Sequence, residues 1–195
     1  MKRALFIAIP IIVILAIAFS YFRPIIACSG KAGSLFGSCL ISQHATNWCW
    51  AASAQMVMLH QGVEVLQSQQ AYDQFRSLRC YLPFGGGACD QPAWPAFGLY
   101  GFTSQRTQDG MPLSFEQLKN ELDNNRYVAF TWNWKTGGQH MMVATGYKVS
   151  NGENYVTVND PWPPLLGDTM IIPYSEYVSG SDHTHSTDFY QIEKQ

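Results

Sequence analysis

Residues 43–53 have the sequence QHATNWCWAAS, which predicts a loop that leads into an apolar helix. We predict this helix over about residues 48–61, with Asn47 as its N-cap and Gly62 as its stop. Cys49 then lies in the first turn, where free N–H groups and the positive end of the helix dipole stabilise a thiolate. A thiol nucleophile needs a base, a group that orients the base and donors for an oxyanion. If Cys49 is a nucleophile, the rest of the sequence must supply these partners.

The composition of the chain indicates one folded domain behind an N-terminal targeting segment. Its 195 residues are 47% hydrophobic and 13% charged, which is enough apolar material for a core and too little charge for disorder. The net charge is −2 and there is no basic run, so a nucleic-acid partner is not expected. We assign residues 1–27 to a signal peptide or membrane anchor, residues 28–40 to a flexible tether and residues 41–195 to the domain, and expect a monomer without a cofactor.

The N-terminus has the pattern of an export signal. Two basic residues at positions 2 and 3 precede an apolar run over residues 4–19. Residues 25–28, Ile-Ile-Ala-Cys, resemble the bacterial lipobox, in which Cys28 would carry the lipid. An apolar run as far as Phe22 would also span roughly 28 Å as a helix, which is long enough for an uncleaved anchor. We expect export to the bacterial cell envelope, with a lipoprotein, a membrane-anchored form and a secreted form as the alternatives.

Cysteine usage fits an exported protein. The chain has 5 cysteines, and an odd count in an oxidising compartment leaves at least one thiol for another purpose. Cys80 and Cys89 flank a glycine-rich loop, which a disulfide would close with a gain of about 2–3 kcal/mol. Cys39 could pair with Cys28 if Cys28 carries no lipid, or with a cysteine of the 80–89 region, and the sequence leaves this pairing open.

The remaining elements predict an α+β domain in which the Cys49 helix packs on an antiparallel sheet. A second helix is expected over residues 69–78 with Ser68 as its cap, and a third begins at a capping box formed by Ser114 and Gln117. Residues 80–110 are rich in glycine and proline and predict loops with one short strand. Strands are then predicted at residues 127–134, 140–149, 155–159, 170–174 and 188–193.

His140 is the expected base for the thiol. It begins a predicted apolar strand directly after the glycine-rich turn that contains Gly138, where a substrate backbone can approach. The next predicted strand ends in Asn159 and Asp160. Because Asp160 shares the apolar face of that strand, we favour it over Asn159 as the group that orients His140.

Several other residues complete the predicted site. The side-chain amide of Gln43 is expected to donate to the oxyanion together with the backbone N–H of Cys49. Trp50, Gly138 and Trp162 are expected to contact the substrate, and Trp162 could also cover the base and its orienter from water.

The other histidines are less suitable as a base. His44 precedes the turn and His60 lies about three turns along the first helix. His183 and His185 lie in a polar segment near the C-terminus, where we expect them to be exposed and solvated. No third ligand accompanies them, so no metal site is predicted.

In combination these motifs resemble those of the papain-like cysteine peptidases: a glutamine, five residues, Cys-Trp at a helix start, Gly-x-His and Asn-Asp-Pro-Trp. The compact bacterial branch, which includes staphopain and plant-pathogen effector proteases and is related to bacteriocin-processing peptidases, is the closer likeness. Thr46 stands where cathepsins have a cysteine, and His140 follows Cys49 by only 91 residues. The resemblance implies a papain-like fold with Cys49 as nucleophile, His140 as base, Asp160 as orienter and Gln43 as oxyanion donor. Such an enzyme hydrolyses peptide bonds of a protein or peptide through a thiol acyl-enzyme.

Two other functions are compatible with the same residues. The first is a different acyl transfer on the same scaffold, such as a peptidoglycan amidase or endopeptidase or a transglutaminase-like reaction. The second is a catalytically inactive envelope protein that binds a ligand with a papain-like shell.

Overall fold

The computed structural model describes residues 39–195. The predicted signal or anchor, the lipobox with Cys28 and most of the tether lie outside these residues. Between residues 39 and 195 no helix is long and apolar enough to cross a bilayer.

The described part has four α-helices and three short 3-10 helices, and the first α-helix begins at the predicted cysteine. The α-helices are α1 (Cys49–His60), α2 (Gln67–Phe75), α3 (Phe115–Asp123) and α4 (Tyr174–Val178). The 3-10 helices are Leu78–Tyr81, Pro83–Gly86 and Phe97–Tyr100.

A single six-stranded antiparallel sheet follows the first two α-helices in the chain, which confirms the predicted α+β class. The strands are β1 (Phe102–Arg106), β2 (Val128–Trp134), β3 (Gln139–Ser150), β4 (Glu153–Asp160), β5 (Asp168–Pro173) and β6 (His183–Lys194). Their order across the sheet is β1-β6-β2-β3-β4-β5. The short strand expected between residues 80 and 110 is β1.

Helix α1 is the central element of the core, and it packs mainly against β3. Residues 50–58 are all buried, so the helix is covered on every side and not on one apolar face as its sequence pattern suggests. Its alanines allow close approach to the sheet, and the Ser53 hydroxyl donates to the Met141 carbonyl at 3.1 Å. This packing fixes the N-terminal end of α1 against the start of β3.

The N-cap of α1 is Trp48 and not the predicted Asn47. Asn47 is held instead by Asp90, whose Oδ1 accepts from the Asn47 backbone N–H at 2.6 Å and whose carbonyl accepts from the Asn47 side chain at 3.0 Å. A contact with a residue far along the chain therefore takes over the side chain that local sequence assigns to capping.

The predictions of the two other helices differ in accuracy. The capping box of α3 is present as predicted, with the Ser114 hydroxyl accepting from the Gln117 backbone N–H. Helix α2 begins two residues earlier than predicted, so Ser68 lies inside it and is not its cap. It ends at Phe75, because Arg76 adopts a left-handed conformation with φ 54°.

Strand β6 begins at His183, five residues before the predicted start, and lies between β1 and β2. The expectation that His183 and His185 are exposed is wrong, since they are 1% and 3% exposed. His183 stacks on Trp132 with ring centroids 3.5 Å apart. The predicted strand at residues 170–174 ends at Pro173, and the unpredicted helix α4 follows it.

A buried polar network holds β6 to α4. Asp188 is fully buried and accepts hydrogen bonds from the Leu113 backbone N–H at 2.7 Å and from the Tyr177 hydroxyl. His185 Nε2 lies 3.2 Å from Asp188, which is ion-pair distance without hydrogen-bond geometry. Burial and then the Asp188 carboxylate raise the pKa of Tyr177 well above its ordinary value, so its hydroxyl remains a donor.

A disulfide joins Cys80 to Cys89, the pair that the sequence placed on either side of a glycine-rich loop. Cys39 is buried. Within residues 39–195, Cys49 has a free thiol and is half-buried.

Candidate active site

The first residue of α1 presents the free thiol of Cys49 at a helix N-terminus. No side chain caps this helix, so the N–H groups of its first turn have no side-chain acceptor. These groups and the helix dipole favour negative charge at this position. The local environment therefore suits a thiolate.

His140 lies beside Cys49, although 91 residues separate them in the chain. Its Nε2 lies 2.5 Å from Oδ1 of Asp160, and the Cys49 side chain is close enough to raise the pKa of the ring. The structure thus brings together the three residues that the sequence proposed as nucleophile, base and orienter. They come from the start of α1, the start of β3 and the end of β4.

The charges around His140 favour its protonated form. Burial by itself lowers the pKa of His140, but the hydrogen bonds to Asp160 and Cys49 and their negative charges outweigh burial and raise the pKa to about 9. At neutral pH the ring is therefore an imidazolium beside the Asp160 carboxylate. That is the charge state a thiol nucleophile requires of its base.

Asp160, and not Asn159, contacts the histidine. Asp160 Oδ1 also accepts from the backbone N–H of Trp162 at 2.7 Å, which fixes the carboxylate. Asn159 is fully buried elsewhere, where its side chain accepts from Thr169 at 2.9 Å and lies 3.8 Å from the sulfur of Met56. The alternation along β4 is the signal that separated the two residues.

Gln43 is fully buried, and its amide is directed at the loop before α1. The side-chain nitrogen donates to the carbonyl oxygens of Ala45 at 2.8 Å and Thr46 at 2.6 Å, which uses both of its hydrogens. Gln43 can serve an oxyanion only if one of these hydrogen bonds is exchanged when the negative charge forms. Its predicted place as oxyanion donor stays a prediction.

The backbone of Gln43 joins the two halves of the site. Its N–H donates to the Pro161 carbonyl at 3.0 Å, and its carbonyl accepts from the Leu165 N–H at 3.0 Å. The loop before the nucleophile is therefore bonded to the loop that follows Asp160. These two bonds fix the distance between Cys49 and the His140–Asp160 pair.

Residues 89–91, at the end of the disulfide loop, also hold the start of α1 and the loop before it in place. Besides the Asp90 contacts with Asn47, the Trp48 indole donates to the Cys89 carbonyl at 2.6 Å and the Trp50 indole donates to the Gln91 carbonyl at 3.2 Å. Trp50 is only 2% exposed, and its predicted contact with substrate stays a prediction. The sequence alone does not identify Asp90, because no local pattern marks it as a partner of the loop before Cys49.

A cavity of about 440 Å³ opens beside the His140–Asp160 pair. Trp162, a predicted substrate contact, lines it and is 46% exposed. Gly138 does not line the cavity; it lies in the exposed turn before β3 with φ 87°. Three lining residues that the sequence did not single out for this site are Thr46, Trp134 and Gln139. The Trp134 ring lies nearly parallel to that of His140, at 6.4 Å between centroids.

One group of potential metal ligands occurs in residues 39–195, and none of its members lines this cavity. Glu176, Asp182 and His183 bring ligand atoms within 4.8 Å of one another. Both ring nitrogens of His183 are already in contact with oxygen atoms, namely the Asp182 carboxylate at 2.8 Å and the Glu176 carbonyl at 2.9 Å. The group is therefore explained as a hydrogen-bonded turn.

Comparison with protein families gives one match that covers most of the chain. The family model described as the Peptidase_C39 like family matches residues 39–180, a range that contains Gln43, Cys49, His140 and Asp160. No curated protein matches the chain.

Proposed function

The chain belongs to the Peptidase_C39 like family, and from this premise we propose that it is a cysteine peptidase that hydrolyses proteins or peptides through an acyl-enzyme on Cys49. The observation that carries the proposal is the contact of His140 with both Cys49 and Asp160. A free thiol, a protonated imidazole and a carboxylate in this order are the parts of a thiol nucleophile, its base and the orienter of that base.

In the first step the Cys49 thiolate attacks the carbonyl carbon of the scissile peptide bond and forms a carbon–sulfur bond. The carbonyl oxygen becomes an oxyanion. As the carbon–nitrogen bond breaks, the imidazolium of His140 gives its proton to the leaving amine. The products of this step are a thioester on Cys49, a free amine and a neutral His140.

In the second step water hydrolyses the thioester. Neutral His140 takes a proton from the water while the oxygen attacks the thioester carbon. The carbon–sulfur bond then breaks, the acid product leaves, and the thiolate–imidazolium pair is restored. Asp160 keeps Nε2 of His140 occupied throughout, so the other ring nitrogen faces Cys49.

The oxyanion needs donors that are in place before it forms. We propose the backbone N–H of Cys49 at the start of α1 and the amide of Gln43, which leaves one of its two carbonyl partners. A donor of this kind typically contributes about 10²–10³ in kcat. This role for Gln43 is supported by its hydrogen bonds to the loop that leads into Cys49.

We also propose that the enzyme acts outside the cytoplasm, attached to the envelope by a lipid on Cys28 or by an uncleaved anchor. The supports are the N-terminal sequence and the disulfide between Cys80 and Cys89, which is a bond of oxidising compartments. The intact mass of protein extracted from membranes distinguishes the two forms. Loss of residues 1–27 with a lipid mass at Cys28 supports the lipoprotein, and an uncleaved N-terminus supports the anchor.

The function is tested with the full-length protein and two variants, Cys49→Ala and His60→Gln. His60 is a control histidine that stacks on Tyr127, far from the cavity. We expect wild type and His60→Gln to cleave casein equally and Cys49→Ala to lose cleavage while remaining folded. Cleavage of peptidoglycan sacculi alone would favour the amidase or endopeptidase alternative. A folded wild-type protein that cleaves neither substrate would support the inactive binding protein.

A further inference from the structure

An exposed apolar patch lies on the segment between α2 and Cys89. Four large side chains contribute to it, and none is less than 48% exposed: Leu78 at 75%, Tyr81 at 48%, Leu82 at 54% and Phe84 at 61%. We call these four residues the loop patch. Side chains of this size are individually common on surfaces, but four within seven residues of one loop indicate a site of contact.

The loop patch has a fixed shape. The disulfide between Cys80 and Cys89 closes the loop around three of its residues, and the 3-10 helix Leu78–Tyr81 orders the backbone at the start of the patch. The Leu82 N–H donates to the Arg79 carbonyl at 2.9 Å. A contact surface that is ordered before binding loses little conformational entropy when it binds.

Within residues 74–89, which hold the loop patch, the only charged side chains are two arginines. Arg76 precedes the loop patch and Arg79 lies between two of its residues; both arginines are exposed. No acidic residue occurs between Asp73 and Asp90, although the chain has a net charge of −2. Arg76 lies 3.8 Å from Asp73 with 71% of its side chain exposed, so its guanidinium still faces solvent.

The chain enters the described domain close to this patch. The Gln67 side chain at the start of α2 accepts from the His44 N–H and donates to the Ser42 carbonyl, both at 2.9 Å. Helix α2 has 9 residues and is therefore about 13 Å long, and the loop patch follows its end. Residues 42 and 44, near the start of the described part, thus lie one short helix from the patch, and the segment with the apolar run precedes them in the sequence.

We propose that the loop patch docks on the surface of a lipid bilayer that contains anionic lipids. Leucine and aromatic side chains insert at the boundary between headgroups and acyl chains, and Arg76 and Arg79 contact lipid phosphates. The same disulfide is linked to the loop before Cys49, since the Trp48 indole donates to the Cys89 carbonyl at 2.6 Å. Docking therefore holds the active site in one orientation at the membrane surface.

The test places a fluorescent noncanonical aromatic residue at Phe84 of the full-length protein. A matched protein carries the same residue at Val149, which is 57% exposed on β3 and lies outside the loop patch. Both are reconstituted into vesicles of phosphatidylglycerol and phosphatidylcholine with brominated acyl chains. We expect the lipid bromines to quench the probe at Phe84 and iodide in the water to quench the probe at Val149. Hydrolysis of a soluble peptide by both proteins shows that the active site is intact.

The charges are tested by combining Arg76→Gln with Arg79→Gln. A cation near an anionic surface shifts the ratio of docked to free loop about fivefold, so the pair should lower this ratio about thirtyfold. The loss should appear with phosphatidylglycerol and be absent with phosphatidylcholine alone.

Three results would overturn the proposal. Quenching of the Phe84 probe by iodide would place the patch in water. Protection from both quenchers would show that protein covers it, either residues 1–38 or a second copy of the chain. Equal lipid quenching at Phe84 and Val149 would show that the domain adheres to the membrane without a preferred face. In each case the soluble-peptide activity separates this failure from a failure of the proposed function.

Discussion

Replacing Asp160 with asparagine should lower the pH at which the enzyme loses activity in alkaline solution. The pKa of His140 is raised to about 9, although burial alone lowers it, because Asp160 and Cys49 stabilise the imidazolium. An opposite charge within about 4–6 Å typically shifts a pKa by 1–3 units. Asparagine keeps an oxygen near Nε2 but removes the charge, so we expect the pKa of His140 to fall by about 2 units.

The alkaline limit of activity moves to lower pH because the reaction uses the protonated form of His140. The active form has His140 protonated, so wild-type activity is kept below its pKa of about 9 and is lost as pH rises through that value. In Asp160→Asn the same loss should occur near pH 7. The raised pKa also stabilises the fold: this contribution is complete below the ordinary histidine value of 6.5 and disappears as pH rises through 9.

The assay is the dependence of kcat/KM on pH between 5 and 10 for a fluorogenic peptide, with thermal unfolding at each pH as a check of folding. Glu116→Gln is the matched control, because it removes an exposed carboxylate on α3. Its profile should coincide with that of wild type. An alkaline limit that stays in place in Asp160→Asn would refute the reasoning that this carboxylate sets the charge of His140.

Three further variants test separate parts of the structure. Replacing both Cys80 and Cys89 with serine should lower the free energy of unfolding by about 2–3 kcal/mol in urea titrations, because the closed loop no longer restricts the unfolded chain; an unchanged midpoint contradicts this. Gln43→Ala should lower kcat by about 10²–10³ with little change in KM if its amide serves the oxyanion, whereas a loss confined to thermal stability would assign it to the loop alone. Asp188→Ala should destabilise the fold by about 3 kcal/mol or more, because it leaves the buried Tyr177 hydroxyl without its acceptor; a stable variant in calorimetry would show that this network contributes little.

The parts of the fold that the sequence predicts well are those with a local cause. The two residues of the capping box, Ser114 and Gln117, are three residues apart and need no other part of the chain. The alternation that ends in Asp160 separated it from Asn159 in the same way. Cys49 and His140 each have a local signal of their own, a helix start for Cys49 and a glycine-rich turn before an apolar strand for His140.

The parts that the sequence does not predict depend on distant contacts. His183 and His185 are polar in sequence but are buried because β6 inserts between β1 and β2. Asn47 has the sequence of a cap, yet Asp90 binds it from 43 residues away. Trp50 lies beside the nucleophile in sequence, but the helix turns it into the core. In each case the tertiary partner determines the outcome, and no local pattern identifies that partner.

The central claim is that Cys49 forms a covalent acyl intermediate with the help of His140. It is tested most directly by mixing the full-length protein with a peptide ester, quenching in acid within the first turnover and measuring the mass of each cysteine-containing fragment. The account predicts the mass of the acyl group on the fragment with Cys49, a reduced rate of its formation in His140→Ala, and no such mass in Cys49→Ala. Turnover of the ester without any acyl mass on Cys49, or at an unchanged rate in Cys49→Ala, would contradict it.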